Sequence, residues 1–149
     1  MKYTTTIEIE KPLQEVITLF DNKDNYFLWM EGLQRYDLIS GPFGQEGTQA
    51  ELEFKLSGRK VLLKETVIKR DFPGEYSVNY IANGADNLVT NRFEAIDENR
   101  TRYHSENTFK FRGFMKFFAL IMPGSFKKQS LKYQNDFKRF VEHYQSTND

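Results

Sequence analysis

Polar and apolar positions alternate from the first residues of the chain. Tyr3, Thr5, Ile7 and Ile9 fall on one side, and Lys2, Thr6, Glu8 and Glu10 on the other. A period of two with β-branched residues predicts a half-buried strand. Lys11-Pro12 ends it, because proline has no N–H for a ladder yet suits the first turn of a helix. Leu13, Val16, Ile17 and Phe20 then repeat at helical spacing. The polar run 21–25 breaks that helix, and Asp24 or Asn25 can cap a second short one reaching Trp29 and Met30.

From Gln34 to Gly84 the chain has the rhythm of an antiparallel meander. Leu38 to Ser40 ends at Gly41-Pro42-Phe43-Gly44, and Ala50, Leu52, Phe54 and Leu56 alternate with Glu51, Glu53 and Lys55. Ser57-Gly58 marks a tight hairpin. A long strand over 61–70 turns at Phe72-Pro73-Gly74-Glu75 into Tyr76, Val78 and Tyr80. Asn83-Gly84 leads to Val89, Asn91, Phe93 and Ala95, and Asp97-Glu98-Asn99 leads to Tyr103, Ser105, Asn107, Phe109 and Phe111. Beyond Gly113 the period becomes 3.6. Residues 114–122 are nearly all apolar, Pro123-Gly124 interrupts, and an amphipathic helix is predicted over about 125–144, with its stripe at Phe126, Ser130, Tyr133, Phe137, Phe140, Val141 and Tyr144. A polar tail follows from Gln145.

Composition narrows the function classes. The 149 residues suit one domain, with no repeat, linker or low-complexity tract. Twenty-one Lys and Arg balance 21 Asp and Glu, which removes the basic surplus that non-specific nucleic-acid binding needs. No cysteine and only His104 and His143 leave thiolate chemistry, disulfides and Cys- or His-rich metal sites without ligands, so no metal or cofactor is expected. No apolar run approaches the ~18 residues of a membrane span, and the first six residues lack the apolar run of a signal peptide. The expectation is a cytoplasmic protein without integral membrane association, a monomer or weak homodimer. The informative excess is aromatic: 14 Phe, 8 Tyr and 1 Trp, enough ring surface for a large core or an apolar cavity wall.

The order of elements is one strand, two short helices, six antiparallel strands and one long helix. Only the helices can cover the sheet's buried face, and a curved sheet gripping one long helix leaves a gap suited to a ligand. In this order, in Ile7-Glu8-Ile9-Glu10-Lys11-Pro12 leading into Val16-Ile17-Thr18-Leu19-Phe20-Asp21, in Trp29-Met30, and in the run 122–130 (Met122-Pro123-Gly124-Ser125-Phe126-Lys127-Lys128-Gln129-Ser130), the chain resembles the START-like, or SRPBCC, helix-grip superfamily. That superfamily includes START domains, Bet v 1-like proteins and the polyketide cyclase/dehydrase group, and the run of motifs is most similar to a bacterial subgroup without an assigned reaction. The resemblance implies an α+β helix-grip fold, a seven-stranded curved antiparallel sheet wrapped around a long C-terminal helix with two short helices after the first strand. It also implies that the helix at Trp29 and the loop after it gate the cavity. Fold alone does not assign function, since the superfamily spans carriers, receptors, cyclases and co-chaperones.

Period two carries polar residues to the presumed inner face: Ser105 and Asn107 with Tyr103 and Phe109, Asn91 with Val89 and Phe93, Glu65 with Val61, Leu63 and Val67. Either they orient a ligand or they satisfy one another, since each costs a few kcal/mol if buried unpaired. Leu62 and Ile68 on the opposite parity warn of a bulge in the Glu65 strand. Glu65 is the one candidate acid or base; His104 falls on the outward parity, and no second titratable group matches Glu65. Residues 114–122, flanked by Lys110, Arg112, Lys116, Lys127 and Lys128, suit core and cavity wall better than a lipid surface, with Pro123 bending the helix over the cavity. The expected ligand-binding set, lining a cavity of a few hundred Å³, is Trp29, Met30, Phe54, Glu65, Tyr80, Asn91, Tyr103, Asn107, Phe109, Phe118 and Met122. The leading function is binding or transport of a small hydrophobic molecule, a lipid or an aromatic, polyketide-like metabolite. A cyclase or dehydratase using Glu65, and a co-chaperone-like interaction module signalled by an exposed apolar patch at 114–122, are the alternatives.

Overall fold

Strict alternation from the first strand onward gives each strand one apolar face, and one sheet collects those faces on its concave side. A computed structural model describes residues 1–145; the polar tail expected from Gln145 lies, from Ser146 on, outside the described residues. The elements are β1 (Lys2–Ile9), α1 (Leu13–Phe20), α2 (Lys23–Trp29), β2 (Leu33–Ser40), β3 (Gln49–Leu56), β4 (Arg59–Asp71), β5 (Glu75–Ala82), β6 (Ala85–Asp97), β7 (Arg100–Phe111), α3 (Phe114–Ile121) and α4 (Pro123–His143). The seven strands form one antiparallel sheet in the order β1-β7-β6-β5-β4-β3-β2. The meander β2 to β7 thus runs in sequence order, and β1 closes it beside β7. Ser57 and Gly58 both take positive φ (51° and 77°) in the β3–β4 turn, the twist that two-residue hairpins favour.

Chain direction and capping set the helices. Asn22, rather than Asp24 or Asn25, caps α2: its extended backbone lets its side chain accept the Asp24 N–H at 2.9 Å. Five polar residues in a row offered several caps, and the earliest one wins. We expect Asn22→Ala to cost about 1 kcal/mol in urea unfolding, the usual loss for a removed N-cap. Pro123 does not bend the last helix. It stands at its first position, where no N–H is needed, so α4 begins two residues earlier than the periodicity suggests and ends at His143. The break lies at Met122, and the apolar segment before it is a separate helix, α3.

The core gathers at one end of the concave face. Ile9, Val16, Phe20, Phe93, Tyr103, Phe137 and Val141 are buried there, and α4 runs closest to β1. Phe20 is its hub, with Phe93, Phe137, Tyr76 and Tyr103 rings at 5.0–6.0 Å, nearly all edge-on. Trp29 packs on Phe137 at 4.9 Å and on Phe20 at 6.4 Å, so it closes the core from α2. No helix among the described residues is long and apolar enough to cross a membrane.

Candidate functional site

Register turns the inward residues into rows that run across the sheet. Side chains directly opposite on one face stand about 4.5–5.5 Å apart. One row is Ala50, Glu65, Tyr80, Asn87 and Phe109, crossing β3 to β7. The next is Val67, Val78, Val89, Asn107 and Tyr3, followed by Tyr76, Asn91, Ser105 and Thr5. The row after that, Phe93, Tyr103 and Ile7, belongs to the buried core. Glu65, Tyr80 and Phe109 therefore share one row, Asn107 stands in the next, and Asn91 and Tyr103 lie one and two rows beyond Asn107 along the strands.

Asn91 and Tyr103 serve each other. The Tyr103 hydroxyl donates to Asn91 Oδ1 at 2.6 Å, and Asn91 Nδ2 donates to the Tyr76 carbonyl at 3.2 Å. Both side chains are buried, and burial raises the Tyr103 hydroxyl pKa, so it keeps its proton and stays a donor. Their polar capacity is used within the core. Asn107 Nδ2 donates to Ser105 Oγ at 3.0 Å, while its Oδ1 accepts from Asn87 Nδ2 at 3.3 Å. Asn87 itself is half-buried and faces the open part of the concavity.

Glu65 is 3% exposed, which fixes its side of β4. Leu62 and Ile68 are 46% and 51% exposed on the opposite face, as plain alternation with Glu65 requires; the irregularity of the strand comes later, between Val67 and Lys69, and beyond it Arg70 pairs with Tyr76. The Tyr36 hydroxyl donates to Glu65 Oε1 at 2.5 Å, and the Tyr80 hydroxyl adds a second favourable contact. Burial raises the Glu65 pKa above its ordinary 4.5, and the two hydroxyls offset only part of that. Arg70 does not reach it. The guanidinium is spent on Asp21 and on the Gly44 carbonyl, tying the end of α1 and the loop after β2 to β4. Burial, and after it the charge of Glu65, also raises the pKa of Tyr36, Tyr76 and Tyr80. The result is a desolvated carboxyl among proton-holding phenols. Tyr36, which sequence alternation passed over, belongs to this cluster, with its ring against Tyr26 and Phe43.

The shelf is not sealed. Tyr80, Asn87, Val89, Leu63, Val61 and Phe109 point inward yet remain half-buried. Phe126 on α4 packs at a tilt over Phe109 and Phe111 at 5.1 and 5.0 Å, and the Tyr3 hydroxyl binds Ser130 at 2.6 Å, so the start of α4 forms the roof. Thr5 Oγ1, Gln134 Oε1 and Trp29 Nε1 are buried without a hydrogen-bond partner among the described residues. Gln134 also went unread in the sequence, although its place one turn before Phe137 and two before Val141 puts it on the buried stripe.

The remaining expected residues separate. Phe54 is in the core, and Trp29 is buried with Met30 partly buried beside it. Both Trp29 and Met30 border an open cleft of about 540 Å³ between the end of α2 and α4. A second hollow of about 440 Å³ lies between the β5–β6 turn and the start of α3. The remaining expected residues border neither hollow. Phe118 and Met122 are 36% and 49% exposed, and Phe114, Phe117, Leu120 and Ile121 are 64–79% exposed. The segment 114–122 is thus not core: α3 seats itself through Met115 against Gly84 and through Phe118 edge-on to Phe126 at 5.7 Å, and turns Phe114, Phe117, Leu120 and Ile121 to solvent. His104 lies on the outer face, hydrogen-bonded to Thr6 and Glu94. No group of three or more potential metal ligands occurs among the described residues.

No family model matches the chain, and no curated protein matches it in sequence. Solved structures match it along nearly its whole length. The ZhuI aromatase/cyclase from Streptomyces sp. R1128 superposes with a TM-score of 0.81 at 11% identity, over 95% of this chain and 93% of that one. Norcoclaurine synthase from Thalictrum flavum, in complex with dopamine and hydroxybenzaldehyde, gives 0.72 at 14% identity, over 98% and 89%. A major latex-like protein from Panax ginseng gives 0.69 at 14% identity, over 95% and 97%. The chain shares the helix-grip fold of these structures.

Proposed function

We propose that the protein binds a small, largely apolar molecule on the shelf between the concave face of the sheet and the start of α4. The observation that carries this reading is the half-open row of Tyr80, Asn87, Val89 and Phe109 under the Phe126 roof. Rings and aliphatic groups there supply the apolar contact, and Tyr80 and Asn87 supply a few polar groups to orient a ligand. Neighbours of the same fold include a synthase crystallised with two small phenolic compounds and an aromatase/cyclase, which supports the same ligand class.

Native mass spectrometry of freshly purified protein tests this, backed by titration with a fluorescent anilinonaphthalene sulfonate. A co-purifying mass or saturable probe uptake is expected. Val89→Trp should weaken it at least tenfold, equivalent to about 1.4 kcal/mol, by filling the middle of the shelf. Undiminished binding in that variant, or neither signal in the wild type, overturns the reading.

A second reading rests on Glu65. A desolvated carboxyl held by Tyr36 and facing Tyr80 has the makings of a general acid, as a cyclase or dehydratase acting on a polyketide-like substrate requires. Substrate-dependent turnover by the wild type, lost in Glu65→Gln, would select it over simple binding.

A further inference from the structure

The exposed side of α3 is the largest apolar feature that the shelf does not use. Phe114, Phe117, Leu120 and Ile121 stand 64–79% exposed on one eight-residue helix. Charge around them is one-sided. No Asp or Glu occurs between Glu106 and Asp136, although the whole chain is electrically balanced. Within that interval Lys110, Lys116, Lys127 and Lys128 are exposed and form no ion pair among the described residues, whereas Arg112 is held by Asp86 at 2.7 Å.

We propose that α3 is a peripheral docking element for an anionic lipid bilayer. Its apolar ridge enters the headgroup boundary, and the four lysines of β7, α3 and α4 bind acidic headgroups. Amphipathic elements combining an apolar face with surrounding cations bind membranes in this way. A helix of eight residues is only ~12 Å long, a convex ridge far smaller than the ~800 Å² that a stable protein partner buries. A bilayer needs no shape complementarity to accept it. A second copy of the chain is disfavoured, because pairing two such patches brings together like charges.

The element is held in place rather than loose. The Arg112 N–H donates to the Gly84 carbonyl at 2.8 Å, and its guanidinium to Asp86 and to the Ala82 carbonyl. Gly84 has φ +86° and lies against Met115, whose Cγ would stand 2.7 Å from any added Cβ. The face of α3 carrying Met115 and Phe118 is therefore already seated, on the β5–β6 turn and on Phe126, and the ridge points outward.

Co-flotation of the purified protein with vesicles tests this. Phosphatidylcholine vesicles carrying about one-third phosphatidylglycerol should recover it, and pure phosphatidylcholine vesicles should not. Raising salt from about 0.1 M to about 1 M shortens the screening length from ~10 to ~3 Å and should release it. Neutralising Lys116, Lys127 and Lys128 to Gln should weaken binding roughly 100-fold, at about fivefold per charge. Phe117→Ser with Ile121→Ser should weaken it at least tenfold, with an unchanged melting profile because both side chains are exposed. Failure to float with either vesicle, equal recovery on neutral vesicles, or a protein dimer abolished by Phe117→Ser would each overturn the proposal. The ridge and lysine variants leave Tyr80, Asn87, Val89 and Phe109 unchanged, so a negative result here leaves the mass-spectrometric test of that site unaffected.

Discussion

Phe137→Ala is expected to lower the free energy of unfolding by about 3–5 kcal/mol, the usual cost of emptying a buried aromatic site. Phe137 is 0% exposed, and its ring meets Trp29 at 4.9 Å, Phe20 at 5.5 Å and Tyr103 at 5.9 Å. Those contacts come from α2, α1 and β7, so one side chain joins α4 to three other elements. The space left behind cannot collapse cheaply, because the rings around it also pack on one another and on the rigid sheet. Against a total of about 5–15 kcal/mol, such a loss should appear in urea unfolding as a much lower midpoint. At about 2–4 °C per kcal/mol for a chain of this size, it should also lower the melting temperature by roughly 10 °C. Leu120→Ala is the control: Leu120 is 79% exposed, and its loss should stay within ~0.5 kcal/mol. A Phe137→Ala cost near that of the control would mean that α4 is not anchored as described.

The sequence pattern reveals side but not row. Parity alone puts Thr5, Asn91, Asn107 and Glu65 on the inner face, since each apolar neighbour two residues away demands it, and all four are buried there. Which of them stand opposite one another depends on turn lengths and on irregularities such as those within β2 and β4. Alternation therefore grouped Asn91 and Tyr103 with the shelf although register places them in rows further along the strands. The irregularity between Leu33 and Arg35 likewise hid Tyr36, whose hydroxyl reaches Glu65.

Residues 114–122 show where hydrophobic pattern stops informing. A segment apolar on every side has no period by which to choose a face, and composition then argues for burial. The structure instead exposes it, and the acid-free interval from 107 to 135 was the one sequence signal pointing that way. Gln134 illustrates the converse: a polar residue on a buried helical stripe is discounted by hydrophobic spacing, yet its side chain donates to the Thr5 and Tyr103 carbonyls between β1 and β7.

Glu65→Gln is expected to flatten a pH dependence that the wild type carries. Burial raises the Glu65 pKa in the folded chain, so over the interval above 4.5 the folded state keeps a proton that the unfolded state releases. Stability from this group is then fully present below 4.5 and is lost as pH rises through the raised value, with a slope of up to about 1.4 kcal/mol per pH unit. Urea unfolding measured across that interval should show the decline in the wild type and not in Glu65→Gln. Tyr36→Phe removes the donor at 2.5 Å and should extend the decline to higher pH, because the carboxylate then loses one of its two stabilising hydroxyls. The same substitution separates the two functions of the shelf. A binding protein loses at most one net hydrogen bond in Glu65→Gln, about 0.5–1.5 kcal/mol, and keeps its ligand. An enzyme that moves a proton through this carboxyl loses roughly 10²–10⁴-fold in rate while still binding. Identical pH profiles for wild type and Glu65→Gln would show that the carboxyl is solvated, and the enzymatic role would fall while the binding site of Tyr80, Asn87 and Phe109 would stand.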